Sequence, residues 1–286
     1  MQPTAKSLII DLLSSVRGQP MPVRALVAAG AVFGISAESI RVALVRLCRR
    51  DTIARNERGQ YSIAPAAQPV QAHVTAWMHT EERLVPWRGA WIGVHTAGLA
   101  RADRASARRR ERALQFLGFR RLAPHLFVRP DNLKGGVVAV RSELLGLGLG
   151  PAALVYAIAQ LDPATEKRAR ALWDGDALRC AYRAACAALA RSADGLAGMA
   201  APDAMVESFV LGGQVIRQLA LDPLLPEPIV PAAERAALVE AMRDYDRRGR
   251  ECWRPFMKTQ GAPHLRTPRT AVDARWPQRA GMERVA

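Results

Sequence analysis

A chain of 286 residues, half of them hydrophobic, is long enough for two or three compact units and needs no covalent staples. Its formal net charge of +15 is unlike that of an ordinary metabolic enzyme and attracts polyanions, either nucleic acid or an anionic surface. An arginine excess in which only Lys6, Lys134, Lys167 and Lys258 are lysines also fits plain codon bias.

The start of the chain, Met1 to Ile10, holds one lysine and the apolar run Leu8-Ile9-Ile10. Asp11 interrupts that run at once, so no signal-peptide core is read there. No stretch approaches the roughly 20 apolar residues of a membrane span, and a cytoplasmic protein is expected. Cys48, Cys180, Cys186 and Cys252 form no CxxC pair and the histidines are scattered, so buried thiols are expected in place of a zinc site.

Three short amphipathic stretches open the chain. Leu8, Ile9, Leu12, Leu13 and Val16 recur at helical spacing, and Gly18 and Pro20 end that first helix. Pro22 to Val32 forms a second helix around Val23, Leu26 and Val27. Gly34-Ile35 then turn the chain, Ser36 caps a third helix running to about Arg50, and Glu38 adds negative charge to its first turn. Within this third helix Ile40, Ala43, Leu44 and Leu47 share one face. Val42, Val45 and Arg49 point the other way, flanked by Ser39, Arg41 and Arg46. Two valines among arginines suit contact with base edges and thymine methyls. A ribbon follows, Thr52 to Arg55 and Gln60 to Ile63, whose turn puts Arg55 and Arg58 where phosphate or minor-groove contacts belong.

This is the order of a winged helix-turn-helix, assigned to residues 1–66. Its predicted DNA-binding residues are Ser36, Ser39, Arg41, Val42, Val45, Arg46, Arg49, Arg55 and Arg58. Double-stranded operator DNA is the expected partner.

Pro65 to Pro69 reads as a linker. Residues 67–162 then read as a ferredoxin-like α/β unit: a strand over Ala90 to Val94, a helix from Asp103 to Leu117 and a strand pair between Phe119 and Val128 broken at Pro124. Val137 to Leu149 is read as helix in preference to strand, and Leu154 to Ala159 as a buried closing strand. The first helix of this unit and its approach carry Arg101, Arg104, Arg108, Arg109, Arg110 and Arg112, which can face DNA, a dimer partner or only solvent. Residues 163–260 read as all helical: Ala164 to Trp173, Ala177 to Ala190, Asp203 to Leu221 and Ala232 to about Met257. The proline-rich stretch from Asp222 to Pro231 joins the last two helices rigidly. Residues 261–286 read as a disordered basic tail.

Enzyme chemistry finds no foothold. The chain has no Walker A motif, no GxSxG and no HExxH, and Gly146, Gly148 and Gly150 make a glycine run without the spacing of a dinucleotide loop. A metal-dependent nuclease on a ferredoxin-like unit wants carboxylates near the end of its first strand, where this chain has Val94-His95-Thr96. No catalytic residue, metal site or cofactor is assigned. A nuclease, a CoA-ester enzyme and a ligand-independent DNA-binding scaffold stand as the alternatives.

Three motifs carry a resemblance. They are Ile40-Arg41-Val42-Ala43-Leu44-Val45-Arg46-Leu47; Arg112 to Phe119 leading to Leu126-Phe127-Val128-Arg129-Pro130; and Arg217-Gln218-Leu219-Ala220-Leu221-Asp222-Pro223-Leu224-Leu225-Pro226. In this order they resemble the PaaX-like family, the repressors of phenylacetic-acid catabolism and their relatives, from Leu8 to about Trp253. The resemblance implies a homodimeric repressor with winged-helix, ferredoxin-like and helical C-terminal parts, released from DNA by an acyl- or aryl-CoA thioester. It also implies an effector site with cations and an apolar slot, for which Trp173, Tyr182, Arg183 and Arg217 are the candidates. Two places depart from the family pattern: the ribbon is short around Gly59-Gln60-Tyr61, and Ala232-Ala233-Glu234-Arg235 stands where a Trp-Pro-Gly turn is expected.

Overall fold

The computed structural model describes residues 2–16, 18–99 and 104–263. It is a mixed α and β structure with two small antiparallel sheets. The first helix, α1 (Ala5–Ser15), begins in a capping box in which Thr4 and Ser7 each accept from the other's backbone N–H. A two-residue strand, β1 (Met21–Pro22), leads into α2 (Val23–Val32), and α3 (Ala37–Cys48) follows. The ribbon is β2 (Ile53–Arg55) and β3 (Gln60–Ile63), with β3 central in the order β1-β3-β2. The sequence reading did not include β1, which is too short to show a period. Gly34 takes a left-handed φ of 68° at the turn into α3. Gly30 lets α2 approach α3 so closely that a Cβ there would lie 2.7 Å from the Ile40 side chain. Leu8, Leu12, Leu26, Ile40, Leu44 and Ile53 form the shared core, which also takes in Met205, Trp253 and Met257 from much later in the chain.

The expected linker is helical. Pro65–Ala67 is a 3₁₀ turn and runs into α4 (Gln68–Thr75), because proline near a helix start gives up only an N–H that has no partner there. Ser14 on α1 donates to Gln71 on α4 at 2.6 Å, so this connection is tied down.

The second sheet is built from β4 (Trp91–His95), β5 (Arg120–Ala123), β6 (Leu126–Pro130) and β7 (Leu154–Ile158) in the antiparallel order β5-β6-β4-β7. Helix α5 (Arg104–Phe116) lies between β4 and β5, and α6 (Gly136–Gly146) between β6 and β7, so 137–149 is largely helix as expected. Side chains alternate along β4. Ile92 and Val94 face the cluster with Leu114, Val140 and Leu144, whereas Trp91 faces the C-terminal helices. The closing strand corrects the sequence reading. β7 is an edge strand paired only with β4, and Leu154 is 63% and Tyr156 38% exposed, because nothing among the described residues covers that rim. Arg101 and Asp103 of the expected basic helix, and the tail from residue 264 onward, lie outside the described residues.

Four helices follow among the described residues: α7 (Pro163–Arg170), α8 (Gly175–Leu196), α9 (Ala201–Ala220) and α10 (Ala232–Thr259). Asp162 and Asp174 cap the first two by accepting backbone N–H groups. The helix predicted from Ala177 to Ala190 is longer at both ends: the Asp174 cap starts it at Gly175, and burial of Ser192 and Leu196 carries it on to Leu196.

Candidate functional site

Helix α3 presents the face expected from its sequence. Ser36 accepts from the Ser39 N–H at 3.2 Å, while Ser36 and Ser39 are exposed at the helix N-terminus. Arg41, Arg46 and Arg49 on α3, and Arg55 and Arg58 on the ribbon, are exposed. Val42 and Val45 lie among them, 42% and 52% exposed.

Among the described residues none of these five guanidinium groups joins an ion pair. The arginines of α10 behave differently. Arg243, Arg247, Arg250 and Arg254 each pair with an acid three or four residues earlier on the same helix. These four charges are thus neutralised locally on α10, whereas those of α3 and the ribbon are left available. On α5 the guanidinium of Arg109 donates to Ser106 at 2.6 Å, and Arg104 and Arg108 are exposed.

The four residues assigned to an effector are not brought together. Trp173 is core: it stacks near Trp91 and donates its indole N–H to the Gly118 carbonyl at 3.2 Å. Tyr182 is buried, and its hydroxyl donates to the Asp222 carboxylate at 2.5 Å, which burial pushes above the usual carboxylate range. Arg183 is exposed beside Glu234 at 3.6 Å. Arg217 alone lines a large cavity, and Asp222 turns to Tyr182 and the Leu224 N–H and forms no ion pair with it. Aromatic residues at helical spacing suit a core and a ligand slot equally, so sequence could not separate the two roles.

The second and third resemblance motifs meet in a buried knot. Arg129 donates to the Leu117 carbonyl at 2.5 Å and to Asn132 at 2.9 Å, and Asn132 donates to the Leu224 carbonyl at 2.7 Å. Burial, then the neighbouring Arg83, lower the Arg129 guanidinium to about 9. Arg235 closes the same region by donating to the Leu225 carbonyl at 3.0 Å. These motifs therefore hold the sheet, α5 and the C-terminal helices together.

The sequence reading missed the cavity. It measures about 670 Å³ and is walled by α1, α4, the 3₁₀ turn Ala76–His79, α5, α9 and α10. Trp77, Phe116, Phe209, Tyr245 and Trp253 supply its aromatic surface, and Asp11, Arg112, Arg217, Asp246 and Arg250 its charges. Asp11 meets solvent on the exposed side of α1, yet protein crowds around its carboxyl. Burial pushes it up to about 6, against the pull of Arg217. Only Arg217 was visible beforehand, because the other walls come from elements far apart in sequence. Among the described residues no group of three or more His, Cys, Asp or Glu side chains is placed to hold a metal ion, and no helix is long and apolar enough to cross a membrane.

Residues 4–65 match the sequence profile of a family described as PaaX-like protein. No curated protein matches the chain. Among solved structures, the uncharacterized protein Rv0674 from Mycobacterium tuberculosis is similar, with a TM-score of 0.53 at 22% identity over 87% of this chain and 98% of that one, which shows a shared fold. The segment from α1 to the end of the ribbon is therefore PaaX-like in sequence, as the motif in α3 implied, and that family typically comprises transcriptional regulators.

Proposed function

We propose that the protein is a cytoplasmic DNA-binding transcriptional regulator, a homodimeric repressor released from its operator by an acyl- or aryl-CoA-type metabolite. The observation that carries the DNA-binding reading is the exposed face of α3, where two valines stand among arginines that make no ion pair among the described residues. In this reading residues 1–66 are a winged helix-turn-helix, with α3 entering the major groove and Arg55 and Arg58 on the wing. Arg41, Arg46 and Arg49 contact bases or phosphates. Ser36, Ser39 and the exposed N–H groups of the helix start hold a phosphate.

Residues 67–162 form a ferredoxin-like dimerisation unit, and 163–260 a helical unit that takes part in sensing. The exposed edge β7, on which Leu154 and Tyr156 are left uncovered, supports pairing with a second copy there. The test is fluorescence anisotropy on the promoter beside its own gene at fixed salt, with and without acyl- and aryl-CoA esters, because counterion release dominates the affinity of so basic a chain. Specific binding that the double substitution Arg46→Ala/Arg49→Ala abolishes, and that one ester reverses, supports the reading. Equal affinity of wild type and variant for promoter and scrambled DNA would overturn it.

A further inference from the structure

The 670 Å³ cavity lies between α1, on which α3 packs, and the C-terminal helices α9 and α10. We propose that this cavity is the ligand-sensing site, that it takes an organic anion with an aromatic or apolar body, and that the bound anion changes how α1 seats on α9 and α10. The regulatory half of this inference rests on the DNA-binding reading above.

Three independent features point to such a ligand. The first is the wall, where Trp77, Phe116, Phe209 and Ile216 offer aromatic and aliphatic surface to an apolar body. The second is the charge. Arg112, Arg217 and Arg250 face two carboxylates, and Asp246 is already engaged by Arg250. Arg112 and Arg217 donate no hydrogen bond among the described residues, and Arg250 keeps one buried Nη1 without a partner, so donors for an acidic group are in place.

The third feature is the space itself. Gly212 and Gly213 in α9 and Gly249 in α10 stand on the cavity wall inside helices, where glycine is a poor helix former. A Cβ on Gly213 would meet nothing within 4 Å.

The location supplies the coupling. Asp11, Leu12, Ser14 and Ser15 of α1 form one wall, and Leu8, Ile9 and Leu12 of the same helix share the core of α3. The rest of the seat is Phe33 against Phe209 at 5.2 Å between ring centres, and Arg24 donating to the Gln260 carbonyl at 3.0 Å. A ligand that fits one seating better than another shifts the position of α3 by that difference in affinity.

The test uses the full chain and two dyes, 8-anilinonaphthalene-1-sulfonate and its uncharged analogue N-phenyl-1-naphthylamine. Wild type is expected to bind one sulfonate per chain about tenfold more tightly than the neutral dye, the worth of a charge-assisted hydrogen bond. Arg217→Gln should lose most of that preference. Gly213→Leu fills open space and improves the helix, so it should fold with an unchanged circular dichroism spectrum and bind both dyes at least tenfold more weakly.

Equal affinity for the two dyes in wild type, or sulfonate binding unaffected by Gly213→Leu, overturns the site. Saturating sulfonate should also change DNA affinity in wild type and not in Gly213→Leu. DNA affinity indifferent to a dye that demonstrably fills the cavity overturns the coupling. A chain that binds the dyes as expected yet binds no specific DNA sinks the DNA-binding reading and leaves the site standing.

Discussion

Gly118 ends α5 with a φ of 69°, and a Cβ there would sit 2.6 Å from the Cα of Pro223. Both backbone strain and overlap with an immovable proline backbone oppose any side chain. Gly118→Ala should therefore destabilise the fold by about 2–5 kcal/mol, measured by urea denaturation. The motif around Gly118 was legible as a motif, but its partner was not, since nothing in the local pattern says that Pro223 arrives there. Asp11 supports a second prediction at this scale. Its folded value of about 6 exceeds the ordinary 3.8, so between those values the folded chain binds more protons than the unfolded one. Its contribution to stability thus falls as pH rises from about 4 to 6. Asp11→Asn should raise the thermal midpoint at pH 7 to 8, with the gain fading below about pH 4. An unchanged difference across that range would contradict the assignment.

At the scale of elements, α3 and the ribbon were legible because their signals are local: a serine cap, a 3.6-residue apolar stripe, and a turn carrying Gly59 at φ 70°. The roles of Trp173 and Tyr182 were not, since a core position and a binding slot show the same spacing. The edge position of β7 was likewise hidden, because an apolar run does not say whether both of its sides are paired. Two predictions belong here. Arg46→Ala/Arg49→Ala should lower the slope of log affinity against log salt by about 0.9 for each phosphate contact removed, measured by anisotropy over a salt series. An unchanged slope would place those side chains off the phosphates. Leu154→Lys sets a charge on the exposed rim beside β7, and sedimentation velocity should show the proposed dimer shifting toward monomer at micromolar concentration. Dimer strength equal to wild type would move the interface elsewhere.

Across the whole molecule, the net charge of +15 is unevenly available: among the described residues it is paired at Arg243, Arg247, Arg250 and Arg254 of α10 and unpaired on α3 and the ribbon. The first segment, read from sequence as a separate unit on a linker, shares its core with Met205, Trp253 and Met257. Sequence showed the segments in order but not this contact, because the residues that make it are spread over the length of the chain. Hydroxyl-radical footprinting of the full chain on its own promoter tests the central claim most directly. Two protected stretches on one face of the duplex, about 34–36 Å apart, are the result expected of two α3 helices in successive major grooves. Uniform cleavage along the promoter, at salt low enough for the protein to be bound, would contradict it.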